Sequence, residues 1–537
     1  MQKFLSLFLI LCSAHYSFAQ SVPIGQVGID DMLRVLQLTG KIDPTQSLTA
    51  RPFFYNKSIS RMDLLHLIDS STNTRFANPR AHQPLQYSLQ KSYWNNNIQL
   101  AVLPATIANK FNSHHPYGWN DAGMIMAKGL QTMITAGLYA KLGPLTIQLQ
   151  PEYYTAANPN YTTTANYGSK DGKALNKTYI GQSSFRLNLG SVSVGASSES
   201  IWWGPGQFSS LMMSNNAPGF QNITFNTTRP LKTPIGSFEW QLVMGKLNED
   251  TSAAFENTFL QLLLPRNEDR YFNGIILTYQ PSFLPNFFFG LTRSEHVYMS
   301  DRDRKVGFIN KYLPVFIPAS ATDNASAASI PADGAFSFFT RWILPKHHAE
   351  FYLEYGYNDF KQNLRDLATN ANHSSAYIIG LKKIVVLPNQ QLLDISTELT
   401  QMAQTTSYVV RSAGNWYEHG PIYQGFTYQN QIMGAGSGMG NNVQTIQVKK
   451  INGFDYVGVK FQRIQQDPKG GIYSSPFSSL GMRDFQWNDL AIGFLAQHRW
   501  NKLIVNGEMQ LVNSKNYGWQ PGNAFNLFLQ LKASYFF

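Results

Sequence analysis

Residues 524–537 read AFNLFLQLKASYFF, and their side chains sort into two rows by parity. Phe525, Leu527, Leu529, Leu531, Ala533, Tyr535 and Phe537 form one row, wholly apolar. Asn526, Phe528, Gln530, Lys532, Ser534 and Phe536 form the other, mostly polar. A period of two is that of a β-strand, whose successive side chains point to opposite faces. A soluble sandwich strand alternates in the same way, with one face in the core and one in water. It has no need of an aromatic last residue with another aromatic two before it. Apolar side chains toward lipid and polar ones toward a wet interior produce the same alternation in a membrane barrel.

Other segments carry the pattern. Phe351, Leu353, Tyr355 and Tyr357 alternate with Tyr352, Glu354, Gly356 and Asn358. Leu145, Ile147 and Leu149 interleave with Thr146, Gln148 and Gln150, and the stretch from Leu503 to Leu511 repeats the scheme. Lipid offers no partner to an unpaired sheet edge, so such strands have to close on themselves. At about 25 residues per strand and connection, the ~450 residues after position 90 make some 16–20 antiparallel strands. The fold expected is an all-β transmembrane barrel. The ending at Tyr535 and Phe537 resembles the signal by which outer-membrane barrels are handed to their insertion machinery, which makes that machinery an expected partner.

Composition agrees. Charged residues are 14% of the chain, against a usual ~25%, while aromatics also reach 14%. No stretch after the N-terminus attains the ~18 apolar residues of a spanning helix. The first residues, MQKFLSLFLILCSAHYSFAQ, place Lys3 before an apolar run and Ser17-Phe18-Ala19 before Gln20. They read as a secretory signal peptide, residues 1–19, cleaved before Gln20. Lipoprotein processing at Cys12 is the rival, and bulky Leu11 stands where a small residue is wanted. Cys12 is the single cysteine, so neither a disulfide framework nor a thiolate metal site is expected. The formal net charge of +11 favours acidic partners such as lipid headgroups or an anionic polysaccharide. It is too diffuse for nucleic acid, which is not an expected partner.

Residues 20–85 read differently from the barrel assigned to 86–537. In IDDMLRVLQLTG, Ile29, Met32, Leu33 and Leu36 recur at helical spacing, with Gly40 as a stop. In SISRMDLLHLIDSS, Ser60 is a cap, Asp63 sits in the first turn, and Met62, Leu65 and Ile68 share a face. Two short amphipathic helices cannot stand alone, so a small helical region packed against the periplasmic end of the barrel is expected. The polar stretches 157–176, 319–335 and 434–442 read as cell-surface loops.

Few motifs point to catalysis. Gly434–Asn442 lacks the ordered glycines and Lys-Ser/Thr of a phosphate loop, and Ser437 lies in Gly-Ser-Gly rather than a nucleophile elbow. His114-His115 and His347-His348 are adjacent pairs, and neighbours on a strand point to opposite faces, so neither pair jointly faces one metal. Asp301 and Asp303 in DRDRK read as a solvated charged turn. No catalytic residue, metal or cofactor is assigned.

Two aromatic motifs remain. IWWGPGQFSSLMMSNNAPGF, 201–220, sets Trp202 and Trp203 against a Gly-Pro-Gly turn and continues to Asn215 and Asn216. NWYEHGPIYQGFTYQNQIMGAGSGMGNN, 415–442, again puts adjacent aromatics, Trp416 and Tyr417, before a Gly-Pro, and adds His419, Tyr423 and Tyr428. Such side chains suit three roles: girdle aromatics at the interface, lumen packing, or carbohydrate binding, where a sugar's C–H face lies on a ring while amides and His bond its hydroxyls. These nine residues are the candidates for polysaccharide binding or for bracing a site. Gly204 and Gly206 let the chain turn around Pro205, which favours bracing for the first motif.

Both motifs resemble the capsule assembly Wzi family. The first matches its Trp-Trp-Gly-Pro-Gly, Ser-Leu and Ser-Asn-Asn-Ala-Pro sequence. The second matches Trp-Tyr-x-His followed by Tyr-x-x-Gly-(Phe/Tyr)-Thr-Tyr, carried by Trp416, Tyr417, His419, Tyr423, Gly425, Phe426, Thr427 and Tyr428. Ala217-Pro218-Gly219 and Gly420-Pro421 depart from the family pattern. The resemblance implies a barrel of about 18 strands with a periplasmic helical region, in the outer membrane of a Gram-negative bacterium. It also implies a non-enzymatic, lectin-like role in attaching capsular or exopolysaccharide at the cell surface. A diffusion channel for small solutes or oligosaccharides would instead need an open lumen, against which inward Tyr352 and Phe528 speak. An outer-membrane hydrolase would need a catalytic constellation.

Overall fold

The computed structural model of the chain describes residues 21–54, 65, 68, 91–94, 97–161, 172–250, 266, 268–317, 330–358, 372–388, 390–404, 415–419, 421–422, 424–467 and 485–537. The wall opens with β1 (Ile98–Asn112), β2 (Gly129–Leu142) and β3 (Leu145–Leu149 with Glu152–Ala156). β4 (Leu175–Tyr179 with Ser184–Leu189), β5 (Val192–Ser197), β6 (Asn222–Thr227 with Leu231–Thr233) and β7 (Gly236–Leu247) follow. Next come β8 (Arg270–Pro281), β9 (Phe287–Tyr298), β10 (Asp333–Leu344), β11 (Ala349–Tyr357) and β12 (Ser375–Val386). β13 (Leu392–Gln401), β14 (Asn442–Asn452), β15 (Asp455–Gln465), β16 (Asn488–Trp500), β17 (Leu503–Lys515) and β18 (Asn523–Tyr535) complete it.

Each strand pairs antiparallel with the next, and β18 returns to β1 in a register running from Tyr535↔Ala105 to Phe528↔Asn112. The result is a closed barrel of 18 strands. Closure leaves no row of unpaired backbone groups toward lipid. β3 breaks at Pro151, which has no N–H to give to the ladder, and both halves still pair with β2.

The two faces separate as the last strand foretells. Phe525, Leu529, Leu531 and Tyr535 are exposed on the outside, while Asn526, Phe528 and Ser534 are buried within. Likewise Phe351 points out and Tyr352 in. The two ends of the barrel differ as well. Connections from even to odd strands are short, only Gly143-Pro144 between β2 and β3 and Asn501-Lys502 between β16 and β17. At the opposite end residues 198–221 and 402–441 make long connections.

The helix predicted around Ile29–Leu36 is α1 (Asp30–Leu38), with Asp30 and Asp31 in its first turn, where carboxylates suit the helix dipole. Gly40, at φ +71°, ends it, and the Lys41 N–H closes back on the Leu36 carbonyl at 2.8 Å. Val35, Leu36 and Leu38 are wholly buried. They share a core with strand-end residues of the short-connection end, among them Ile343, Ile384, Ile451 and Ile504. Leu65 and Ile68 belong to the same core. The rest of the second expected helix and the signal segment 1–19 lie outside the described residues.

Half of the loop expected at 157–176 and most of the one at 319–335 fall outside the described residues. Gly434–Asn442 is no surface loop: Ala435 and Asn441 are buried and the segment turns into the barrel. Its small side chains are what let it do so, since a Cβ on Gly434 would stand 2.4 Å from the Tyr417 hydroxyl.

Candidate functional site

Between β5 and β6 the chain enters the lumen, and the Trp-Trp motif lies across it. Trp202 and Trp203 pair as a short antiparallel ladder with Arg51 and Ala50 of the N-terminal segment. Trp203 is completely buried, and its indole Nε1 donates to Gln241 Oε1 of β7 at 2.7 Å. Three side chains then hold the Gly-Pro-Gly turn and the residues that follow it. Arg34 of α1 donates to the carbonyls of Pro205 and Gly206. Glu398 of β13 accepts the Gln207 N–H at 2.6 Å, the Phe208 N–H, and the Tyr352 hydroxyl at 2.7 Å. Glu354 of β11 accepts from Ser337 at 2.9 Å and from the Leu211 N–H at 3.4 Å. A Cβ on Gly206 would sit 1.8 Å from the Ser209 carbonyl oxygen, so only glycine fits.

The second motif seats on the first. Trp416 and Tyr417 are buried in the core that contains Trp203, Leu211 and Met433. The Tyr417 hydroxyl donates to the Leu211 carbonyl at 2.9 Å and accepts the Ala435 N–H at 2.7 Å. Burial pushes its phenol up, and the Ala435 N–H only partly offsets that. Tyr428 is half-buried, 6.0 Å from the Phe220 ring. His419 is half-buried and its Nδ1 accepts the Ile422 N–H at 3.2 Å. Tyr423 lies outside the described residues. Asn216 Nδ2 donates to the Ile432 carbonyl at 2.9 Å, and Asn215 Nδ2 to the Asn120 carbonyl at 2.9 Å. Of the nine sequence candidates, Trp203, Trp416 and Tyr417 therefore meet in one plug. Trp202 and Asn215 face a chamber beside it, and Asn216 reaches a cleft above it.

The cleft, of about 180 Å³, lies at the long-connection end, over β15–β18. Trp487, Tyr517 and Trp519 form its aromatic wall: the Trp487 ring stands edge-on to Tyr517 at 4.9 Å and to Trp519 at 5.0 Å. His115 lies 4.4 Å from Tyr517. Trp487 Nε1 donates to Asp489 Oδ1 at 2.7 Å, and Gln466 Nε2 to Asp489 Oδ2 at 2.7 Å. Asn415 Nδ2 donates to Asp467 Oδ2 at 2.8 Å, which fastens the cleft to the plug. Two buried polar atoms on its lining, Ser437 Oγ and Gln431 Nε2, have no hydrogen-bond partner among the described residues. Burial, then Tyr161 and Asp489, raise the Tyr517 phenol, so it stays a neutral donor. Burial, then His114, brings His115 down to about 3, so it is neutral too.

Tyr117 and Trp119 also line the cleft, and they separate it from the chamber below, of about 220 Å³. The Tyr117 hydroxyl donates to Gln462 at 2.8 Å and Gln510 at 3.1 Å, which sets the partition across the lumen. Asp121 anchors the same loop through Lys110 at 3.2 Å and Lys532 at 3.0 Å. Burial alone would raise that carboxyl; the two lysines and the Gln530 amide outweigh it and hold it below the usual range.

The cleft residues are the ones that sequence reasoning missed. Trp487 and Trp519 stand singly at strand ends, where a girdle aromatic looks the same. The local signals were Trp487 two residues from Asp489, and Tyr517-Gly518-Trp519 ahead of Pro521-Gly522. Among the described residues no group of three His, Cys, Asp or Glu side chains is placed to hold a metal ion.

The family model of the capsule assembly protein Wzi matches residues 106–524, which include both motifs and most of the barrel. The chain belongs to the Wzi capsule assembly family. Its fold is similar to that of Wzi of Escherichia coli, described as an outer membrane protein involved in group 1 capsule assembly and a carbohydrate binding β-barrel. The TM-score is 0.60 at 10% identity, over 96% of this chain and 99% of that one. OprB of Pseudomonas putida matches over 82% of this chain and 94% of its own, at 11% identity and a TM-score of 0.36. OprD of Pseudomonas aeruginosa covers 82% and 93%, at 8% identity and a TM-score of 0.38. Among curated proteins no sequence matches the chain significantly. Sequence identity to Escherichia coli Wzi is too low to transfer residue roles, so those rest on the geometry.

Proposed function

We propose that the protein attaches capsule-type polysaccharide to the outer face of the outer membrane, binding it without altering it, with the cleft over β15–β18 as the seat. The observation that carries this reading is the cleft's wall: three adjoining rings, with Ser437 Oγ and Gln431 Nε2, which have no hydrogen-bond partner among the described residues, on the same lining. A sugar ring presents a C–H face to an indole and hydroxyls to amides and hydroxyls, and a concave, mostly apolar site with a few fixed polar groups suits it. Short connections face the periplasm and long ones the exterior in barrels of this kind, so the cleft opens outward and α1 sits at the periplasmic end. The signal segment brings the chain there.

Charge in the cleft refines the glycan. Its described lining holds Asp467 and Asp489 and neither Lys nor Arg. That favours neutral or amino-bearing sugars at this seat over the acidic polymer that the net charge suggested. Binding rather than hydrolysis is supported by Asp489, whose two oxygens already accept hydrogen bonds from neighbouring side chains. The channel reading is opposed by the plug of Trp203, Trp416 and Tyr417.

The test is a deletion strain complemented with the intact chain or with Trp487→Ala/Trp519→Ala, scoring cell-bound and shed polysaccharide against total synthesis. The expected result is normal synthesis with polymer shed into the medium for the variant. Unchanged retention with the variant at normal level in the membrane would overturn the assignment.

A further inference from the structure

The connection from β9 to β10 is described over residues 299–317, and these do not stand up from the rim. Its first part forms two short helices, α2 (Met299–Arg304) and α3 (Phe308–Tyr312), then a single 3-10 turn, Pro314–Phe316. In β8 the even positions face the lumen, as Phe272 and Ile276 show by joining the plug core. Tyr271 and Asn273 therefore face outward, yet both are buried. What covers them is this segment. The Tyr271 hydroxyl donates to the Tyr312 carbonyl at 2.6 Å, and the Val315 N–H to Asn273 Oδ1 at 3.2 Å. On β9, outward Arg293 donates to the Ile317 carbonyl at 2.5 Å, and outward Glu295 pairs with Lys305 at 2.8 Å. The segment has folded down against the outside of the wall.

How far it descends follows from the register. Arg293 lies five residues below Tyr298, the last residue of β9, or roughly 17 Å along the strand at ~3.4 Å per residue. At that level Arg293 is paired with Phe336 of β10, which is exposed on the outer surface, and Phe338 and Leu291 continue the apolar belt beneath it. The foot of the segment thus runs into the lipid-facing band. Its free side is apolar: Val306 is 84% exposed, Phe308 69%, and Ile309 and Phe316 55% each. The same segment carries four basic side chains against two acidic ones: Arg302 and Lys311 pair with Asp303, Arg304 with Asp301, and Lys305 with Glu295 of β9. An apolar face flanked by basic side chains, continuous with the lipid-facing wall, is what an interfacial helix presents to an anionic membrane surface.

We infer that residues 299–317 form a foot lying in the outer leaflet, with Val306, Phe308, Ile309 and Phe316 among the acyl chains and its basic residues toward phosphate-bearing lipid headgroups. The charged DRDRK turn, read from the sequence as solvated, then serves the membrane surface. This inference is independent of where glycan binds.

The experiment uses the full chain in nanodiscs of phosphatidylcholine, with or without phosphatidylglycerol, carrying a nitroxide at Phe308→Cys or, in a second variant, Ile309→Cys. Collision of the label with oxygen, which concentrates in lipid, is compared with collision with a water-soluble nickel chelate. The expected result is oxygen access well above nickel access at both positions. Added Arg304→Glu and Lys311→Glu raise nickel access severalfold in discs containing phosphatidylglycerol. Nickel access exceeding oxygen access at both sites would overturn the foot and leave the patch to another protein or a second copy of this chain. Identical behaviour in the two kinds of disc, with and without the charge reversals, would overturn the headgroup contact.

Discussion

The plug and the cleft are built from the same kinds of residue and do opposite things with them. In the plug, Trp203, Trp416 and Tyr417 are sealed into one core, and Glu398 of β13 and Glu354 of β11 accept backbone N–H groups of Gln207 and Leu211 in the segment after Trp203. In the cleft, Tyr517 and Trp519 are only half-buried, and Ser437 Oγ and Gln431 Nε2 have no hydrogen-bond partner among the described residues. Aromatic density alone does not tell a brace from a binding surface. What does is whether the ring faces are already occupied and whether nearby polar atoms are already bonded.

That contrast breaks most visibly in the plug. Trp203→Ala or Trp416→Ala empties a fully buried site, a change that typically costs about 3–5 kcal/mol. Either variant should unfold at lower temperature in heat-modifiability gels, and ion conductance in planar bilayers should rise if the lumen loosens. Wild-type stability would mean that neither indole braces the barrel. The next largest effect belongs to the cleft: Trp487→Ala/Trp519→Ala should release polysaccharide while lowering heat stability less than Trp203→Ala does, because Trp519 is half-buried and only Trp487 is buried. If it unfolds the barrel as Trp203→Ala does, the two regions are not separable.

Glu398→Ala comes third. It strips the Gln207 and Phe208 N–H groups and the Tyr352 hydroxyl of their acceptor, and leaving such buried donors unmade costs about 1–3 kcal/mol. Tm should fall, with Glu398→Gln falling less. The smallest effect is from pH. His115 sits at about 3 when folded, because burial and then His114 oppose its charge. The unfolded chain titrates it near 6.5, at its ordinary value. A depressed folded pKa contributes stability that is present above the unfolded pKa and lost as pH falls toward the folded one. Tm should therefore decline between pH 6.5 and 3 in part through this residue, and His115→Phe should flatten that portion of the profile. An unchanged slope would remove His115 from the account.

The barrel was legible in the sequence because lipid enforces a strict period of two: Phe525, Leu529 and Leu531 have no alternative to facing out. The first helix was legible because Gly40 and the Ile29–Leu36 spacing are local signals. The plug was half legible. Trp202, Trp203, Trp416 and Tyr417 stood out as unusual, but their meeting joins residues some two hundred positions apart, and nothing local specifies it. The apparent loop at 434–442 misled because glycines suit a flexible exterior and a tight interior equally. Trp487 and Trp519 stayed hidden because single aromatics at strand ends are the norm in membrane barrels. The fold of 299–317 onto the outer wall was out of reach, since its contacts fall on outward side chains of two other strands.

The central claim is that the cleft holds glycan and the plug only supports it. Its most direct measurement is the affinity of the purified full chain for the producing strain's own polysaccharide by calorimetry, for the intact protein and Trp487→Ala/Trp519→Ala, with folding verified in the same samples. The account predicts a loss of about tenfold or more in Kd with the barrel intact. Unchanged affinity in the folded variant would contradict it and place the glycan elsewhere.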